Sequence, residues 1–173
     1  MTSVTSKTEH RTSEIPRLSA SEWMLCLLNA DHASTIKGKT VFVKQLFILG
    51  KELFEQVDRG FQFYPHRFGP YSRIFEDSLY RLIADGYVSE SLARIYINQQ
   101  PDKVRSDYAL LPKGREEASR VISRLSDADR SKLDRYKRIM SSMGFWGLIH
   151  YVYSNYPEYT TVSEIAVSNQ MEV

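Results

Sequence analysis

Three observations predict an α+β fold, mainly helical and winged-helix-like, with a two-stranded wing and a C-terminal helical extension. Residues 72–85 carry apolar side chains at helical spacing and stop at Gly86, alternation of period two begins at Tyr87, and helical periodicity dominates most of the rest. With 173 residues, 42% of them apolar, the chain can bury one substantial core. It divides into a disordered arm at 1–17, a winged-helix-like core at 18–112, helices at 113–165 packed on that core, and a frayed tail at 166–173.

The arm is rich in Ser, Thr and charge and has little to bury. The first helix opens on a capping box, Ser19 with Glu22, and a staple of Leu18 against Trp23. Trp23, Met24, Leu27 and Leu28 supply its buried stripe, and residues 31–38 read as a polar turn with His32 facing solvent. From Thr40 to Val57 apolar residues cover more than one face, which predicts the central core helix. Lys39, Lys44 and Lys51 are expected on its open face, and Asp58-Arg59-Gly60 is expected to break it.

Pro65, Gly69 and Pro70 make residues 64–71 a shaped connector outside regular structure. Ser72 caps the next helix, whose inward set is Ile74, Phe75, Leu79, Leu82 and Ile83, with Gly86 as a left-handed stop. Tyr87–Ile97 and Asp107–Leu111 are the wing strands, Gln99-Gln100-Pro101-Asp102 is the turn between them, and Lys103 and Arg105 are expected at the tip. After Pro112 and Gly114 a helix is predicted over 116–125, with Ala118, Val121, Ile122 and Leu125 inward. Ser126 with Asp129 starts another helix that runs to about Met143, burying Leu133, Tyr136, Ile139 and Met140. Glu116–Arg120, Arg130–Asp134 and Asp134–Arg138 are spaced for pairing along these helices. Phe145, Trp146, Ile149, Val152, Tyr153 and Tyr156 form the stripe of a closing helix that ends at Pro157, His150 reads as a core or edge histidine, and the last residues are acidic.

Charge excludes little, because 23 basic and 21 acidic residues leave a net +2. Cys26 is alone, lies in the apolar run WMLCLL, and is expected to be a buried thiol in a reducing cytoplasm. No apolar run reaches the ~18 to 20 residues of a membrane span, so no membrane association is expected. Four scattered histidines make a poor ligand set, and the GKT at Gly38 lacks the upstream glycine and strand of a phosphate loop. The expectation is therefore no catalytic residues, no metal and no cofactor.

The run KTVFVKQLFILGKEL, then YPHRFGPYSRIFEDSLYRLIADGYV, and later YVYSNYPEYTTVSEI resemble the YwgA-like proteins of bacteria and archaea, and more distantly the Panacea (SocA-like) antitoxin domain. The likeness spans roughly residues 20–165. Its most specific pieces are Phe68-Gly69-Pro70-Tyr71-Ser72 and Tyr156-Pro157-Glu158-Tyr159. It implies a winged-helix-like fold without catalysis, in a role such as regulation, toxin neutralisation or membership of a defence or mobile-element complex. The long aromatic C-terminal helix departs from the antitoxin pattern.

Two functions compete. In the first, the chain binds DNA or RNA as a regulator or nucleic-acid-associated subunit, with Arg67, Arg73, Arg81, Lys103 and Arg105 on phosphate and groove. Glu76, Asp77 and Asp85 oppose this by making the supposed reading helix net acidic. In the second, the chain is a protein-interaction module without nucleic-acid contact, antitoxin-like or part of a complex, in which Tyr71, Trp146, Tyr153 and Tyr156 meet a partner or a second copy.

Overall fold

A computed structural model describes residues 14–97 and 100–164. The expected arm up to residue 13, the hairpin turn at 98–99 and the tail from residue 165 lie outside the described residues. Residues 14–17 are pinned to the body. The Ile15 carbonyl accepts from Gln56 Nε2 at 3.1 Å, and that of Arg17 accepts from Arg124 at 3.1 Å.

Helix α1 (Ala20–Ala33) starts on the predicted capping box: Ser19 Oγ accepts from the Glu22 amide, and Glu22 accepts from the Ser19 amide at 2.7 Å. It ends through Asp31 and His32 in left-handed backbone. Strand β1 (Ile36–Lys37) follows, where a polar turn was expected; it is legible only from its partner strand far along the chain. Helix α2 (Lys39–Glu52) is the central helix, buried over most of its circumference. The break comes at Leu53-Phe54, earlier than expected, and Asp58-Arg59-Gly60 lies inside α3 (Glu55–Phe61). The reason is packing: α3 folds back so closely that a methyl group on Gly50 would sit 2.6 Å from the Asp58 amide nitrogen. Only glycine fits there.

The stretch expected to be irregular is a tight hairpin, β2 (Tyr64–His66) with β3 (Gly69–Tyr71), closed by Arg67-Phe68 and a positive φ of 84° at Gly69. Pro65 stands opposite Pro70, beside the His66–Gly69 pair that closes the turn. That is a ladder position at which neither amide is needed, so two prolines do not forbid the pairing. Ser72 accepts from the Phe75 amide at 3.1 Å and opens α4 (Arg73–Ala84), as predicted. Gly86, at φ 77°, ends it in a Schellman arrangement: Tyr87 N–H reaches Leu82 O at 2.9 Å, and Gly86 N–H reaches Ile83 O at 3.1 Å.

Strands β4 (Val88–Ile97) and β5 (Gln100–Leu110) form the wing, and β1 adds to the far side of β5, giving a three-stranded antiparallel sheet in the order β1-β5-β4. Pro101 and Asp102 belong to β5, not to a turn. A register shift between Ile95 and Tyr96 leaves Asp102 as the extra residue of a bulge, next to which the missing amide of Pro101 is tolerated. Helix α5 (Pro112–Ile122) begins earlier than the sequence suggests, with Pro112 in its first turn. Gly114 lies against the Tyr87 carbonyl, and a methyl group there would come to 2.0 Å from that oxygen. Lys113 also donates to Asp85 O at 2.8 Å, closing the end of α4.

Helix α6 (Asp127–Asn155), capped by Ser126, kinks at Gly144, where φ is 66°, and so joins the two predicted helices. A short 3₁₀ turn (Pro157–Tyr159) follows. Leu133, Tyr136, Met140, Leu148, Ile149 and Val152 are buried, whereas Ile139, Phe145 and Trp146 face outward and His150 is exposed. The anticipated pairs are replaced by others: Arg120 bonds Glu117, Arg130 bonds Asp127, and Arg138 reaches Asp31 at 3.3 Å. One continuous core runs from Leu18 to Val152, so the α+β, mainly helical, winged-helix-like chain and its C-terminal helices share a single interior. Among the described residues no helix is long and apolar enough to cross a membrane.

Candidate functional site

Two neighbouring surfaces carry most of the residues singled out from sequence: the β2–β3 hairpin with the start of α4, and the wing. The hairpin rests on Lys44, which is 1% exposed and donates from Nζ to Pro70 O at 2.8 Å. The expectation of a solvated lysine fails because α2 has no open face at this position. The signal was present in its neighbours Val43, Leu46 and Phe47. Burial pushes the Lys44 amine down to about 7.

A second buried lysine, Lys137 on α6, closes the left-handed end of α1 by donating to Leu28 O, Ala30 O and Ser34 O at 2.7 to 2.9 Å. Burial pushes it down to about 7 as well, against the raising effect of Asp31 and Asp134. Three carbonyls match the three donors of an ammonium, so of these two amines Lys137 is the better able to keep its proton.

Arg67, at the hairpin turn, is exposed but engaged. Its guanidinium forks onto the Glu164 carboxylate at 2.7 and 3.0 Å, and its carbonyl accepts from the Glu164 amide at 2.7 Å. Tyr71 is half-buried, stacked on His66 with centroids 5.0 Å apart. Beside it Lys39 bridges to Glu76 at 2.9 Å. Burial opposes the charge on Lys39, but the Glu76 carboxylate and the Tyr71 hydroxyl outweigh it and raise its pKa.

Arg73 and Arg81 stand exposed at opposite ends of α4, about 12 Å apart along its axis at 1.5 Å per residue. Arg73 borders a cleft of about 280 Å³ lined by Phe61, Gln62, Tyr64 and Ile74. Asp77, Tyr80 and Asp85 are exposed on the same helix or at its end. Among the described residues no ion pair is made by Arg73, Arg81 or Lys103.

Lys103 and Arg105 are not at the wing tip. They stand opposite Ile95 and Ala93, well down the hairpin. Arg105 is half-buried and forks onto Asp107 at 2.6 and 2.9 Å, which raises its pKa and removes it as a free cation. The other face of the wing was missed. Leu92, Tyr96 and Val104 are 74%, 63% and 63% exposed, and Arg94, directly opposite Val104, stands exposed among them. This face continues outward from Val88, Tyr108 and Leu110, which are buried in the core. Counting by twos from Tyr108 and from Val88 would have found it.

Of the aromatic residues assigned to a partner, Trp146 is 69% exposed and packs edge-on to Phe145, centroids 5.0 Å apart. Tyr153 and Tyr156 turn inward. Tyr153 bonds Ser163 through its hydroxyl, while Tyr156 packs edge-on to Phe47 at 5.0 Å and donates to Glu52 at 2.9 Å. With Tyr159 also against Phe47 at 4.7 Å, the Tyr-Pro-Glu-Tyr element seals the end of α2. Cys26 is fully buried, and burial, reinforced by Glu22, pushes its thiol up to about 12. Among the described residues no three His, Cys, Asp or Glu side chains converge as metal ligands.

No family model, curated protein or solved structure matches this chain.

Proposed function

We propose that this chain is a non-enzymatic, winged-helix-like binding module that docks a protein partner through the outer half of its wing. The observation that carries this reading is the row of Leu92, Tyr96 and Val104, each more than half exposed, on one face with Arg94 between them. Apolar side chains set around an arginine are the composition of an interface centre, where charge is otherwise depleted. The cation Arg94 fits a partner that brings a carboxylate beside an apolar contact. A photo-cross-linking residue placed at Tyr96 tests the reading: it should form a polypeptide adduct that the same probe at Glu117, on α5, does not. Equal adducts at both positions, or none, would end it.

The unpaired cations Arg73, Arg81 and Lys103 favour a second reading, contact with DNA or RNA across α4 and the wing. Asp77 and Asp85 lie beside the arginines, and Arg67 and Arg105 already pair with Glu164 and Asp107, which leaves three of the five expected contacts without an ion pair among the described residues. A mobility-shift titration at low and moderate salt decides it, since phosphate binding must weaken steeply as salt rises. Arg81→Glu with Lys103→Glu should abolish such binding without harming the fold; Arg105 is unsuitable for reversal, because a glutamate there would face Asp107.

A further inference from the structure

Strand β4 forms one edge of the three-stranded sheet and, ten residues long, carries neither proline nor lysine. From Ser89 to Ile95 none of its residues is buried, and among the described residues its backbone bonds only to β5 there. A long edge of this kind is a template for another strand, and monomeric proteins ordinarily blunt it.

We infer that β4 pairs antiparallel with β4 of a second copy, about a twofold axis through Leu92, merging two sheets into one of six strands. This inference rests on the protein-docking reading and names its occupant. A twofold axis perpendicular to a sheet brings one residue opposite its own copy and sets the others in symmetric pairs around it. With the axis at Leu92, Glu90 stands opposite Arg94 of the second copy, Arg94 stands opposite Glu90 of the second copy, and the two Leu92 side chains meet. Moving the axis to Ser91 or to Ala93 puts Val88, Leu92 or Tyr96 opposite each charge instead. The register centred on Leu92 is thus the one in which the strand is complementary to itself. Glu90 is already oriented, since its Oε1 accepts from the Tyr108 hydroxyl at 2.9 Å, and its second oxygen remains available to an arginine. The bulge after Ile95 ends the pairing on one side, and burial of Val88 ends it on the other.

Sedimentation equilibrium of the wild type, of Glu90→Arg and of Arg94→Glu tests the inference. The wild type should run at twice the 20.1 kDa of one chain. Each single variant places like charges opposite one another at both ends of the interface and should associate at least about tenfold more weakly, a loss of ~1.4 kcal/mol. Mixed in equal amounts, the two variants restore both charge pairs, and a heterodimer should form. A monomeric wild type, single variants that dimerise as tightly as it does, or a mixture that stays monomeric would each overturn the inference. A monomeric wild type whose Tyr96 probe still captures a different polypeptide would overturn this pairing alone and leave the docking reading standing.

Discussion

At the scale of single residues, Lys44 sets the clearest pH dependence. Its folded pKa is about 7 against 10.5 for an ordinary lysine, so between those values the unfolded chain binds the additional proton. Stability should therefore rise with pH across that window and lack this contribution below it. Denaturation midpoints from about pH 7 to about pH 10 should climb in the wild type and stay flatter in Lys44→Met; parallel curves would assign the titration elsewhere. Two glycines separate backbone strain from steric collision. A Cβ atom at Gly86 would meet nothing within 4 Å, so Gly86→Val should cost ~1 to 2 kcal/mol, chiefly for its positive φ. Gly114→Ala drives a methyl group against the Tyr87 carbonyl, and it should cost more than Gly86→Val in thermal unfolding even though alanine favours helices.

At the scale of elements, the aromatic end of α6 divides into an inner and an outer part. Tyr156→Glu would bring a carboxylate beside Glu52 and remove a ring from Phe47, and with Tyr153→Glu it should destabilise by several kcal/mol. Trp146→Ser should lie within about 0.5 kcal/mol of the wild type, as exposed substitutions usually do. A double variant as stable as the wild type would show that this helix end is not part of the core. What the sequence revealed follows the same division. Caps at Ser19, Ser72 and Ser126 and the stop at Gly86 are local chemistry, legible from a few neighbours. Strand β1, the α2–α3 break and the β2–β3 hairpin depend on Tyr108, Asp58 and the pairing of two prolines. The first answers to a distant partner, the second to the close approach of α3 on Gly50, and the third defeats a rule about single residues. The exposed row on the wing was hidden for another reason: its alternation is that of an ordinary strand, and exposure depends on where the core stops.

At the scale of the whole molecule, the C-terminal helices are part of the interior. Residues 18–112 alone would lack Leu133, Tyr136, Met140, Leu148, Ile149 and Val152, each worth roughly 1.5 to 3 kcal/mol when buried. Together these match the ~5 to 15 kcal/mol of net stability typical of a domain. That fragment should show no cooperative thermal transition, and a sharp one would contradict the single core. The carbonyls at the end of α1 find their partner in Lys137, more than 100 residues later. During synthesis on a ribosome, the end of the first helix must therefore wait without its native partner until Lys137 has left the exit tunnel. A nascent chain stalled before α6 would present this unfinished end to chaperones, so the emergence of α6 sets the moment at which α1 becomes secure.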